Sequence, residues 1–190
     1  MLILGSKSAR RKELLESASI DFELISSDFD ETHIAFDGDV TSYVEEVAKQ
    51  KAQNLLEKYP NRVILTADTM VELDGKLLGK PTDKAHAKAM LEQLSGKTHN
   101  VCTGVCILKD DQIEVFSECA KVTFNKLSPL DIETYIVTGE PMDKAGAYAI
   151  QGEGAKLIKE YHGDFHTIMG LPLKSLLEKL KTFGIYPNLK

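Results

Sequence analysis

Arg10 and Arg11 stand where a helix should disfavour cations. Leu2-Ile3-Leu4 reads as a short buried strand, Gly5 to Ser8 as a polar turn, and Ala9 to Ala18 as a helix carrying Leu14, Leu15 and Ala18 on one face. Ser8 is the expected N-cap, which puts both arginines in the first turn. That end of a helix presents unpaired N–H groups and a partial positive charge, so it attracts anions. Lys7 adds a third cation beside it. The arrangement becomes favourable when a phosphate docks there. The alternative is that both guanidinium groups simply reach into water, at a cost of a few tenths of a kcal/mol.

Lys51 is the second residue out of place. Its predicted helix turns Val44, Val47, Ala48, Ala52, Leu55 and Leu56 inward, and helical spacing puts Lys51 within that stripe. Either its stem packs and the amine reaches water, or the amine points into a polar site. Asp68 is the third, a carboxylate inside the strand-like run from Val63 to Leu73. A buried carboxylate needs a cation, a metal or several donors, or else it caps a neighbouring loop. Lys80, in Gly79-Lys80-Pro81, and Gln151, at the end of the glycine- and alanine-rich run from Pro141 to Gly152, are weaker signals. Small residues let backbone approach a ligand closely, and a glutamine amide offers both a donor and an acceptor to a base edge. A tight structural loop with an incidental glutamine explains that run equally well.

These side chains must be positioned by alternating strands and helices. A strand is expected over Phe22 to Ile25, leading into the acidic stretch Asp28 to Glu31, and then a helix from a Thr41 cap to about Tyr59, stopped by Pro60. The Val63–Leu73 run turns at Asp74-Gly75 into Lys76-Leu77-Leu78. Thr82 is the expected cap of a helix with Ala87, Met90, Leu91 and Leu94 on one face, ended by Gly96. Val101 to Leu108 and Ile113 to Phe124 form a second hairpin around Asp110-Asp111. Ser128-Pro129 opens a helix with Asp131 placed for a capping box and Gly139 as its stop, and Pro172 opens the last helix. Hairpins among the helices exclude an all-parallel doubly wound sheet. The expected fold is α/β, a mixed sheet flanked by helices, with residues 1–190 forming one domain in two lobes.

Composition narrows the function. The 190 residues are 43% hydrophobic and 27% charged, as in ordinary globular proteins, and carry a net charge of −6, which argues against a nucleic-acid-coating surface. No apolar run approaches the roughly 20 residues of a membrane span, and the start lacks a signal peptide's pattern. Cys102, Cys106 and Cys119 lie in strand-like segments without zinc-ligand spacing, and are expected to be buried, reduced thiols of a cytoplasmic protein. The five histidines show no ligand pairing and read as surface or packing residues. Neither a Walker-type phosphate loop nor a Gly-x-Ser-x-Gly elbow is present.

Taken in order, these residues resemble the motif blocks of Maf proteins. The segment from Leu2 to Leu15 is similar to the family's opening signature, usually L-A-S-x-S-P-R-R-x-E-L-L. Ala67-Asp68-Thr69, Gly79-Lys80-Pro81, Met90-Leu91 through Gly96, Asp143 to Gly152 and Gly170-Leu171-Pro172 resemble the later blocks. Two departures stand in the first block, Gly5 for the usual alanine and Ala9 for the usual proline.

The resemblance implies a nucleoside triphosphate pyrophosphatase that needs a divalent metal, Mg²⁺ or Mn²⁺. It also implies a two-lobed fold similar to inosine triphosphate pyrophosphatases, with the nucleotide between the lobes. Asp68 is then the catalytic residue, Glu31 and Asp68 the metal ligands, and Ser6, Arg10, Arg11, Lys51, Thr69, Lys80 and Gln151 the substrate-binding set. Arg10, Thr69 and Gln151 resemble the branch acting on dTTP and UTP. The implied partner is a nucleoside triphosphate, without nucleic acid or membrane, and a homodimer is the candidate assembly. The competing expectation is a nucleotide-binding regulator of septum formation with little or no catalysis.

Overall fold

The computed structural model describes residues 1–189. In chain order its regular elements are β1 (Leu2–Leu4), α1 (Ala9–Ser17), β2 (Phe22–Leu24), α2 (Val40–Lys58), β3 (Ile64–Leu73), β4 (Lys76–Leu78), α3 (Lys84–Leu94), β5 (Thr98–Lys109), β6 (Gln112–Phe124), α4 (Pro129–Val137), β7 (Ile158–His162), α5 (Phe165–Met169) and α6 (Leu173–Lys181). The strands order as β2-β1-β3-β5-β6-β7, with β4 paired to β3. β1 runs parallel to β2 and β3, whereas β4 and β7 are antiparallel to their neighbours, so the sheet is mixed as expected. Among the described residues no helix is long and apolar enough to cross a membrane.

The chain divides into two compact units: 1–68 with 103–118 and 170–189, and 69–102 with 119–169. In the first, Ile3, Ala48, Ala52, Leu55, Ile64 and Leu108 form a buried cluster beneath α2. α2 buries Val44, Val47, Ala48, Ala52 and Leu55, the inner stripe anticipated for this helix apart from the partly buried Leu56, and this fixes which way Lys51 faces. Gly5 is explained here. A Cβ at this position would sit 2.4 Å from Leu55 Cδ1 and 2.9 Å from Thr66 Cγ2. Thr66 cannot move aside easily, because its hydroxyl donates to the Ala48 carbonyl at 2.5 Å. The departure from alanine therefore matches local packing.

In the second unit α3 packs on α4 and on the turn at 145–147. His99, Phe124 and Tyr148 form an aromatic cluster with centroids 4.7–5.3 Å apart and rings near perpendicular. His99 is 2% exposed, its Nε2 lies 2.6 Å from the Tyr148 hydroxyl, and its buried Nδ1 has no hydrogen-bond partner among the described residues. Burial disfavours the imidazolium and lowers His99 from 6.5 to about 4, against a weaker upward pull from Glu72. The folded protein therefore keeps His99 neutral where the unfolded chain protonates it. Its contribution to stability is complete above pH 6.5 and is lost as pH falls toward 4, by of order 3 kcal/mol. The His99 imidazole resonances should accordingly stay unprotonated down to pH 5 in an NMR titration of the folded protein.

Several boundaries differ from expectation. Asp39, not Thr41, caps α2, its carboxylate accepting from the Thr41 N–H at 3.0 Å. Asp83, not Thr82, caps α3, accepting from the His86 N–H at 2.7 Å. In both cases an aspartate within two positions of the expected hydroxyl outcompetes it for the unpaired N–H groups. The Ser128–Asp131 capping box forms as expected. The cysteines require a correction. Cys102 and Cys119 are joined in a disulfide, and only Cys106 is a free thiol, buried and pushed up to about 12. The two-residue turn at 110–111 lies midway between Cys102 and Cys119, so the hairpin sets them opposite each other, with Cα atoms 4.1 Å apart. Spacing rules that look for zinc pairs miss a cross-strand pair of this kind.

Candidate active site

Six of the expected residues lie in the first unit. β1 delivers the chain into the turn that carries Ser6, a buried residue whose Oγ accepts from the Ser8 N–H at 3.0 Å and from Arg11 Nη1 at 3.4 Å. Ser8 caps α1 as anticipated, accepting from the Arg11 N–H at 3.4 Å, and no acidic residue offsets the charge of the first turn. Arg11 does not extend into water. Its Nε donates to the Gly170 carbonyl at 2.7 Å, which folds the guanidinium back over the turn. Burial lowers Arg11 to about 10, the nearby charges of Asp68 and Glu31 oppose that shift, and Arg10 adds to it. The group remains a cation at neutral pH, held close to a like charge and two carboxylates.

The Lys51 amine turns toward a pair of carboxylates and not into open water. Its side chain is 15% exposed, and its Nζ lies 2.6 Å from Glu31 Oε1, 3.8 Å from Asp68 Oδ1 and 3.4 Å from the Ala67 carbonyl. Three segments make this meeting. α2 projects the lysine from its inner stripe, β3 supplies Asp68, and the short turn Glu31–His33, capped by Asp30, supplies Glu31. Asp68 is 7% exposed, so the carboxylate inside the strand-like run is indeed buried and has a cation nearby. Tyr43, eight positions before Lys51 and so on the same helical face, was not singled out by sequence. Burial, then the negative charges of Asp68 and Glu31, raise its phenol above the ordinary value. It is therefore a neutral hydroxyl within the field of both carboxylates. An aromatic residue on an inner helical face looks like core, which hides such a placement.

The remaining expected residues belong to the second unit. Thr69 follows Asp68 in β3 and points to the opposite face of the strand. Lys80 is exposed in a loop whose Gly79 carbonyl accepts from the Gly146 N–H at 3.1 Å, which ties it to the 145–147 turn. Gln151 is exposed, and its Nε2 lies 3.1 Å from the Met169 sulfur, a weak acceptor.

Among the described residues, no group of three or more His, Cys, Asp or Glu side chains is arranged to hold a metal. Glu31 and Asp68 nevertheless converge on one ammonium, and carboxylate oxygens are the hard ligands that Mg²⁺ prefers. Such an ion commonly takes only one or two carboxylates, completing its shell with water and substrate phosphate. The donor set fits an ion of that kind arriving with a polyphosphate. It does not fit a closed protein cage.

The opening motif and the carboxylate–lysine cluster thus occupy one unit. The model of the Maf-like protein family matches residues 1–183. The chain belongs to this family. The Maf-like protein is 69% identical over all 190 residues to a dTTP/UTP pyrophosphatase of Acholeplasma laidlawii, covering the whole of both chains. It is 47% identical over 183 residues to a dTTP/UTP pyrophosphatase of Halalkalibacterium halodurans, covering 96% of each. A solved nucleoside-triphosphatase / dITP/XTP pyrophosphatase of Mycobacterium abscessus aligns over 96% of each chain at 14% identity and a TM-score of 0.49.

Proposed function

We propose that this Maf-like protein hydrolyses dTTP and UTP to the monophosphate and pyrophosphate. The observation that carries the reading is the cluster of Lys51, Glu31 and Asp68 beside Arg11 at the start of α1. Phosphate binding alone would be served by the cations. Two carboxylates placed among them repel a polyphosphate, and become useful as a base or as ligands to a divalent ion. Mg²⁺ or Mn²⁺ held by Glu31 and Asp68 would neutralise phosphate charge and polarise the reacting phosphoryl group.

Arg10 and Arg11 bind phosphate oxygens at the helix start, where the N–H groups of the first turn add donors. Ser6 fixes the turn that presents them. Lys51 supports charge that develops in the transition state. Asp68 accepts the proton of an attacking water. The water oxygen bonds to the α-phosphorus, the bond from that phosphorus to the oxygen bridging to the β-phosphorus breaks, and pyrophosphate leaves with the electron pair. Thr69, Lys80 and Gln151 are assigned to substrate by their motif resemblance, with Gln151 reading the base and Lys80 the phosphates. Uracil and thymine present a carbonyl, an N–H and a second carbonyl, which a glutamine amide can complement. The relatives' names agree with that choice.

Incubation with dTTP or UTP and Mg²⁺ in ¹⁸O-water is expected to give equimolar monophosphate and pyrophosphate, with the label in the monophosphate. Orthophosphate as the sole phosphate product, or label in pyrophosphate, would place the cut elsewhere. Nucleotide affinity without turnover across metals and common nucleotides would support a regulator instead. A screen at equal concentrations should put dTTP and UTP first. If 7-methyl-GTP led, the base assignment would fall while the reaction class stood.

A further inference from the structure

Glu140 lies outside every motif residue considered so far, yet its carboxylate is engaged from three sides. The Tyr135 hydroxyl donates to its Oε1 at 2.8 Å, the Gly154 N–H to the same oxygen at 3.1 Å, and the Glu153 N–H to Oε2 at 3.3 Å. The last two donors belong to the short turn Gly152–Leu157, whose N-cap is Gln151. Gln151 makes no side-chain cap hydrogen bond there, so the turn is capped by a residue from a separate segment and the amide is spared that duty. On the other side of Gln151, the Ala149 N–H donates to the Tyr135 hydroxyl at 3.1 Å. The backbone beneath Glu140 is itself pinned, its carbonyl accepting from Lys144 Nζ at 3.0 Å.

Gly152 shows how closely the parts fit. Its φ is +63°, and a Cβ there would stand 2.8 Å from Glu140 Oε2. The carboxylate therefore occupies the space that any other residue after Gln151 would need. Three donors on two oxygens call for a group that only accepts, which is the ionised carboxylate and not an amide.

We propose that Glu140, acting with Tyr135, is a positioning residue that holds residues 149–154 so that Gln151 presents its amide to a pyrimidine base. The inference rests on the reading of Gln151 as the base-recognising residue. An amide discriminates between bases only while its donor and acceptor are held in register with the base edge, since misplacement leaves buried polar groups unpaired. Glu140 touches neither substrate nor reacting atoms in this assignment, so its loss should appear as lost base preference.

The test compares Glu140→Gln, Tyr135→Phe and Gln151→Ala by steady-state kinetics with dTTP and GTP. Glu140→Gln puts an NH₂ group against backbone N–H donors. It is expected to lower kcat/KM for dTTP about tenfold, mainly through KM, and to narrow the dTTP-over-GTP preference by about the same factor. Tyr135→Phe should act in the same direction with a smaller effect. The double variant Glu140→Gln/Gln151→Ala should show no less preference than Gln151→Ala alone, because the two act through one amide. If Gln151→Ala abolishes the preference while folded Glu140→Gln keeps it, the positioning role is overturned. If Glu140→Gln fails to fold, Tyr135→Phe decides on the same criterion. If Gln151→Ala itself keeps the preference, the base-reading assignment fails first, and the positioning role falls with it.

Discussion

Asp68→Asn is expected to lower turnover of dTTP by at least about 10²-fold and up to about 10⁴-fold, the range for removing a general base. The side chain is nearly isosteric and sits in the rigid interior of β3, so geometry is preserved while the carboxylate is lost. Removing one partner of a buried ion pair ordinarily leaves a costly unpaired charge. Here Lys51 keeps Glu31 at 2.6 Å, which limits that penalty. The apoprotein should melt within about 5 °C of wild type, by the usual relation between stability and melting temperature. The two measurements must be made together, because lost activity with a collapsed melting temperature would report unfolding. Turnover above about a tenth of wild type would remove Asp68 as base and as essential ligand.

Lys51→Met tests the other half of the cluster. Methionine suits the apolar stripe of α2 and matches the lysine stem, so packing is retained. The charge is not replaced. Glu31 and Asp68 would face each other without the ammonium that now lies within 4.0 Å of both. Two consequences follow from the lost charge. The value of kcat/KM should fall at least about tenfold, because a cation that supports transition-state charge is gone. The melting temperature should also fall in metal-free buffer and recover more strongly on adding Mg²⁺ than in wild type, since the ion would take the place of the lost charge. Unchanged kinetics would show that the amine serves only the fold. Equal Mg²⁺ responses in variant and wild type would show that the two carboxylates do not form a common cation site.

Local rules were sufficient for much of this protein. Ser8 as a cap, the inward stripe of α2 and the Ser128–Asp131 box depend on neighbours within a turn of helix, and such interactions are legible in a linear chain. The sequence alone also marked Arg10, Arg11, Lys51 and Asp68, because a charge in the wrong local setting breaks periodicity or helix electrostatics. Its motif order led to the family. Where two nearby residues could both cap, as at Asp39 and Thr41 or Asp83 and Thr82, spacing could not rank them, and the folded geometry did. What joins distant segments was set by the tertiary structure alone. Lys51 could have reached solvent until β3 and the turn at Glu31 were folded around it. Gly170 carries no side chain, so nothing in its letter announces that its carbonyl holds Arg11. Cys102 and Cys119 became partners only through hairpin register, and Glu140 became the cap of a turn more than ten residues away only through folding. Periodicity and capping record what a residue meets within a few positions. Contacts between remote segments depend on how the chain returns, which no local pattern encodes.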